Sequence, residues 1–498
     1  MTRFNKTDTL IFSALFLIAF IFVFSSTYNP LNFRRMHVDS SVYMTITQGI
    51  SQDLLPYRDF VDNKGPLMYL LGVPGYMLCG FTGVWLTELF LMCIAVLFTY
   101  KTALFFTSKY KALTVTACTF VAALAFFTVS AGTEEYALPF LMVALYIFAK
   151  YYFSPQRDVI LSDLITLGFC FAFAVLIRLN MFPLWAGFCI IIFLDAIVKR
   201  RFAFLGKCVF GFLAGAAIVC VPVFLYLKLN GIMGNFISQV VFGSASQGFG
   251  GASMKQTVKN AYIVMNRSYS LTPLLWGVFS VIRNYKQKGF LFWTGYTFSY
   301  ILAVLFLSFS GGDSHYNLTL IPFFVPLLAA VLKALYSAFS FLSTKRKQNI
   351  AVALFLCIVF SEWLITYLDD FMETFTNHSG KELIQAGKMI DENTKDSDTI
   401  ISLGINGYIY PFTQRRAASK YIYQGSGVDR FLDSRQEFLS DVLQKKPAII
   451  ALFTAEDGGN YNYLPEWYKP VFNLIENEYR LLSDNNGYTL FIKMNCKE

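Results

Sequence analysis

The chain of 498 residues is 55% hydrophobic and 18% aromatic, and only 15% of it is charged. A soluble domain carries nearer about a quarter charged residues, so this composition excludes a wholly soluble protein. The net charge of +9 is not a nucleic-acid footprint, because the basic residues sit mostly in short loops between apolar runs, where they orient a membrane protein.

A membrane span needs roughly 20 mainly apolar residues. The first run, 9–28, follows MTRFNK and is long for a signal peptide, so it reads as a retained anchor. A polar stretch occupies 29–65 and forms a large first outer loop. Residues 66–82 are apolar but interrupted by Pro66, Pro74 and glycines, which predicts a short or interfacial helix. Further spans are predicted at 84–106, 112–130, 138–153, 160–177, 181–197, 204–228, 268–283, 289–309, 318–339 and 349–367, about eleven crossings in all. Residues 229–267, with SASQGFGGAS, read as a long mobile outer loop.

Residues 368–498 are polar and mixed in charge. Short β-type runs appear at 399–405 (TIISLGI), 447–453 (PAIIALF) and 488–494 (YTLFIKM), separated by helical patterns such as KELIQAGKMIDEN and EFLSDVLQKK. That alternation predicts a small α/β domain. The expected fold class is therefore a mainly α, polytopic helical bundle over 1–367 with a C-terminal extracytoplasmic α/β domain over 368–498.

Sidedness follows from charge. With a cytoplasmic N-terminus, the inner loops hold Lys101, Lys109 and Lys111; Lys150 and Arg157; Lys199, Arg200, Arg201 and Lys207; Arg283, Lys286 and Lys288; and Lys345, Arg346 and Lys347. The outer loops hold Asp39, Asp59, Asp62, Glu134, Glu135 and Asp313. This one orientation satisfies the positive-inside bias throughout, and it turns the chemistry away from the cytoplasm. Nine cysteines include no CxxC pair, and seven lie in apolar runs. There they behave as small hydrophobes, not as a disulfide framework or zinc site.

Asp39 in HVDSSVY precedes an amphipathic stretch. It suits a helix cap and equally a general base for an incoming hydroxyl. Arg58 and Lys64 in YRDFVDNKGPL read either as exposed ion pairs or as a grip on a lipid-level phosphate. Glu134 and Glu135 mark a turn between spans, or bind sugar hydroxyls or a metal, or supply a second acid or base. Arg178 interrupts an apolar hairpin on the outer side, against the charge trend, and reads either as an arginine snorkelling to the interface or as an anion binder. His315 and Tyr316 in GGDSHYN read either as structural residues or as donors to a phosphate or sugar. Two of the three histidines, His37 and His315, lie on the outer face with Asp neighbours, which makes a divalent metal ion a candidate cofactor. No tight ligand spacing accompanies them.

These segments together resemble the GT-C superfamily of polytopic glycosyltransferases, in particular bacterial members related to protein O-mannosyltransferases and the lipid A aminoarabinose transferase. The resemblance implies that Asp39 is the essential first-loop aspartate, and that Tyr57, Asp59, Lys64, Pro66 and Leu67 form the Y-x-D … K-x-P-L stretch. It further implies that Glu134 or Glu135 is the second-loop acid, that Arg178 is the mid-chain outer cation, and that His315, Tyr316 and Pro322 are the late HY…P element. The usual Lys-Pro-Pro reads Lys64-Gly65-Pro66 here. What the resemblance implies is a polyprenyl-phosphate-linked sugar donor, an extracytoplasmic glycan, lipid or protein acceptor, and a multi-pass cell-membrane location. A flippase, or a polymerase or ligase of lipid-linked glycans, is the competing reading. Transporters keep ionisable residues near the midplane, whereas the polar groups here crowd one rim.

Overall fold

The computed structural model describes residues 6–31, 36–127, 130–154, 160–244, 253–287, 289–309, 313–376, 379–404, 407–424, 432–453, 465–485 and 488–494. Arg157, Lys288 and most of the SASQGFGGAS segment lie outside the described residues.

Helix α1 (Lys6–Phe24) leads to α2 (Val38–Ser51), the short α3 (Leu67–Leu70) and α4 (Val73–Ala103). The expected short segment 66–82 divides between α3 and the start of α4, which continues into the next span with a break at Cys79–Gly80. Gly80 has φ +59°, a left-handed conformation that glycine adopts at no steric cost. Next come α5 (Lys109–Leu124), α6 (Thr133–Phe153), α7 (Leu161–Ile177), α8 (Pro183–Val198) and α9 (Phe202–Leu229). Helices α7 and α9 pack together, as do α4 and α6, and α8 lies on the Phe290–Phe309 helix.

The stretch 229–267, expected as a loose loop, is largely helical. It carries α10 (Met233–Phe236), a π-helical turn Ile237–Phe242 and a helix Met254–Asn266. The last of these alternates apolar with Lys, Gln and Asn, so its hydropathy falls short of a span although its period is helical. The expected last span is two helices, Lys345–Val359 and Ser361–Thr376, with the chain bent by 63° between them. The second runs through the expected boundary at 367/368.

Six described helices are long and apolar enough to cross a bilayer, or seven if the bent pair counts as one. Four shorter apolar helices accompany them. The protein is a polytopic helical membrane protein with a C-terminal α/β domain. That domain has a five-stranded sheet in the order β2-β1-β3-β5-β4, from β1 (Thr399–Leu403), β2 (Arg416–Ala417), β3 (Ile449–Phe453), β4 (Tyr479–Asn485) and β5 (Tyr488–Lys493). The pairings β1–β2 and β1–β3 are parallel, and β5 runs antiparallel to β3 and β4.

Side chains alternate across a strand, and both faces of this sheet are covered. Ile400, Ile449, Ala451, Leu490 and Ile492 join the core that continues into the bundle. Ile401, Leu403, Ile450 and Leu452 pack instead with Phe438, Val442, Val471 and Leu474 in a second core. The domain docks on α2 and the following loop: Gln48 Nε2 donates to the Thr413 carbonyl at 3.3 Å, and Val61 N–H to the Lys420 carbonyl at 3.1 Å.

Candidate active site at one end of the bundle

The site gathers from five segments. His37 caps α2: its Nδ1 accepts from the Asp39 N–H at 3.2 Å. Asp39 therefore sits in the first turn, where a carboxylate is favoured by the helix dipole. One turn on, Tyr43 is buried and feels Asp39, Asp62, Glu134 and Arg178 at once. Burial pushes its phenol well above the ordinary value, and the three carboxylates add to this. Tyr43 is thus a neutral hydroxyl donor at the centre of the group.

Lys64 approaches Tyr43 from above, with Nζ 6.0 Å from the ring centre and 2.6 Å from Asn63 Oδ1. Gly65 explains how it gets there. Its N–H donates to the Ile177 carbonyl at 2.9 Å, and a Cβ at this position would lie 2.0 Å from the Leu176 carbonyl oxygen. Only glycine lets the loop press against the end of α7, so the departure from Lys-Pro-Pro is a packing requirement. Tyr57, at φ +66°, turns the loop, and its hydroxyl donates to the Lys64 carbonyl at 2.7 Å. Its own carbonyl accepts from Asn235 Nδ2 and Gln239 Nε2 at 3.0 and 2.7 Å. Asp62 serves the same scaffold by accepting from the Tyr69 hydroxyl at 2.6 Å.

Arg178 closes α7 and pairs with Glu134 in the first turn of α6. Thr133 Oγ1 donates to the other Glu134 oxygen at 2.8 Å. The guanidinium stacks on Tyr316, 4.1 Å from the ring centre. Tyr316 touches His315 (4.3 Å between ring centres), and His315 faces His37 at 6.3 Å. The chain from Asp39 through His37, His315 and Tyr316 to Arg178 and Glu134 is continuous. Burial pushes the His37 imidazole below its ordinary value; Asp39 opposes this and His315 adds to it.

The structure thus brings together Asp39, Lys64, Glu134, Arg178, His315 and Tyr316. It does not bring Arg58 among them. Arg58 is exposed and bidentate to Asp59, at 3.0 and 2.8 Å. Glu135 turns away from Arg178 into a pocket with Glu88 of α4. Among the described residues, no three or more His, Cys, Asp or Glu side chains are grouped to hold a metal ion.

Residues 2–372 match the family model described as "Putative competence-induced protein Ccs4 N-terminal domain". The chain belongs to this family. No curated protein matches the sequence. Solved structures do match in fold. ArnT from Cupriavidus metallidurans, in the apo state, is similar at TM-score 0.61 and 12% identity over 97% of both chains. The same protein bound to undecaprenyl phosphate gives 0.62 and 11% over 99% of both. The Archaeoglobus fulgidus oligosaccharyltransferase tethered to an acceptor peptide gives 0.52 and 12%, over 99% of this chain and 75% of that one. The fold of this family member is therefore like that of ArnT and of the archaeal oligosaccharyltransferase.

The motifs missed Tyr43's central place and the supports Asn235 and Gln239. Tyr43 lies in HVDSSVY, four residues after Asp39 and so on the same helix face, which was the available signal. No comparable signal marks Asn235 or Gln239. Glu88 stood in plain view as the one acid within an otherwise apolar run at 84–100.

Proposed function

We propose that the protein is a membrane glycosyltransferase that moves a sugar from a polyprenyl-phosphate-linked donor to an acceptor outside the cytoplasm. The acceptor class is a cell-surface glycan, a lipid or a protein. One observation carries this reading: a carboxylate at a helix N-terminus, Asp39, shares one end of the bundle with two cations, Lys64 and Arg178. The ArnT structure with undecaprenyl phosphate supports the donor class by likeness of fold.

In this scheme Asp39 takes the proton of the acceptor hydroxyl. The oxygen attacks the anomeric carbon with inversion, and the bond to the phosphate oxygen breaks. The electron pair leaves on polyprenyl phosphate, which is a weak base and needs electrostatic stabilisation more than protonation. Lys64 and Arg178 supply it. Glu134 and Tyr316 hold Arg178 in register, and His315 and Tyr316 orient the sugar. The isoprenoid tail lies along the apolar helices.

Topology belongs to the same proposal. Helix α6 has 21 residues, or roughly 30 Å at about 1.5 Å per residue, the thickness of a bilayer core. Glu134 and Lys150 occupy its opposite ends. With a cytoplasmic N-terminus and eleven crossings, Lys150 faces the cytoplasm, and the site and the α/β domain of 368–498 face out.

The test is Asp39→Asn in membrane vesicles supplied with radiolabelled polyprenyl-phosphate sugars, beside the glycan profiles of cells with and without the protein. Transfer should fall by about 10²–10⁴-fold, the typical worth of a positioned base, at unchanged protein level. Full activity in this variant removes Asp39 from the scheme. Glu88, buried inside α4, favours one second reading, proton-coupled movement of a lipid-linked sugar. Translocation in vesicles without bond formation would select it.

A further inference from the structure

Glu88 is 0% exposed and Glu135 is 1% exposed, and neither enters the mechanism above. Ser26 Oγ donates to Glu88 Oε2 at 2.7 Å. The other three oxygens, Glu88 Oε1 and both of Glu135, are buried, and among the described residues no donor meets them in full hydrogen-bond geometry. The charge of Glu88 is felt at Glu135 across the packed α4–α6 contact, the Ala131 N–H lies toward both carboxyl groups, and the Gly132 N–H lies toward Glu135. No lysine, arginine or histidine is among the groups acting on either. The nearby cation, Arg178, is paired with Glu134.

The turn they enclose is strained and central. Ala131 has φ +48°, a left-handed conformation that is unfavourable for an L-residue with a side chain. Such strain persists only where the surroundings impose it. Ser130 beside it accepts from Thr27 N–H at 3.0 Å through its hydroxyl, and from Ser40 Oγ at 2.8 Å through its carbonyl. The turn therefore joins the end of α1, the residue after Asp39, and the start of α6 that carries Glu134.

Two ionised carboxylates buried together, with no cationic side chain acting on either among the described residues, would repel each other and forfeit their hydration. We propose that Glu88 and Glu135 hold one proton between them, as an acid–carboxylate pair that clamps the Ser130–Gly132 turn and fixes Glu134 behind Arg178. The proton comes from solvent as the protein folds. The acid O–H of one residue donates to the other, and the remaining negative charge lies against the Ala131 and Gly132 N–H groups at the N-terminus of α6, where an anion is favoured. Both are positioning residues. The importance of Glu134 rests on the glycosyltransferase reading; the shared proton does not.

Difference infrared spectroscopy of the purified full-length protein, in H₂O and D₂O at neutral pH, tests this without any activity. The wild type should show one buried protonated-carboxyl band, and Glu88→Gln and Glu135→Gln should each alter that same band, because the proton belongs to both groups. Each Gln variant should still fold, since an amide replaces the acid member of the pair. Glu135→Ala should lower thermal stability further than Glu135→Gln. The proposal is overturned by no protonated carboxyl at neutral pH, by two independent bands each removed by its own substitution, or by failure of both Gln variants to fold. Loss of the wild-type band on adding Mg²⁺, Ca²⁺ or Zn²⁺ would make the pocket a cation site and overturn it equally.

Discussion

Glu134 and Glu135 are neighbours in the chain and meet opposite electrostatic environments. Glu134 faces the rim, where Arg178, stacked on Tyr316, balances its charge. Glu135 faces a pocket whose other acid is Glu88 and where no cation is found among its interacting groups. A buried charge persists either by finding a counter-ion or by being neutralised. The rim takes the first course through the Arg178–Glu134 pair, while the pocket, on our proposal, takes the second and serves as a clamp.

Removing the counter-ion should erase this contrast. Arg178→Ala leaves Glu134 buried and unpaired and should cost about 3–5 kcal/mol, measured by unfolding in detergent. Replacing both members by apolar residues, Arg178→Met with Glu134→Leu, should cost far less, because no charge is left without a partner. Gly65→Ala disturbs the rim alone. Its Cβ meets a backbone carbonyl that has no freedom to rotate away. An overpacking cost of roughly 1–3 kcal/mol is expected, with weaker binding of undecaprenyl phosphate as Lys64 is displaced.

A pH series sharpens the comparison on the rim. The folded His37 lies below its ordinary value of 6.5, so the unfolded chain takes up the proton more readily. The stability gained by keeping His37 neutral is complete above that ordinary value and is lost as pH falls through it toward the folded value. Protonation also removes the Nδ1 acceptor that caps α2. Thermal unfolding from about pH 8 to about pH 5 should therefore show falling stability, and a shallower fall in His37→Asn, which keeps a capping oxygen. The smallest effect is expected at the exposed pair: Arg58→Ala should change stability by under about 1 kcal/mol and leave transfer intact.

Much of this was legible in the residues. Long apolar runs marked the helices, and three of the five strands announced themselves by β-branched runs. The α/β domain lies at the same end of the bundle as Asp39 and Lys64, opposite Lys150. Other features were not. Strand β4, YRLLSDN, is too polar to signal itself, and the helix at 254–266 is amphipathic, so its mean hydropathy falls short of a span. Arg58 looked as promising as Lys64, since spacing alone does not say which cation a glycine will draw against α7.

Hydropathy and loop charge are additive along the chain, so the residues alone specify a membrane bundle with Asp39, Glu134 and His315 at one end and Lys150 at the other. Which acid meets which partner depends on how distant segments pack. Successive residues on a helix point about 100° apart, so Glu134 and Glu135 start from one turn and enter different surroundings. Those surroundings are built by Arg178 and Glu88, residues far away in the chain, and no local pattern encodes their arrival.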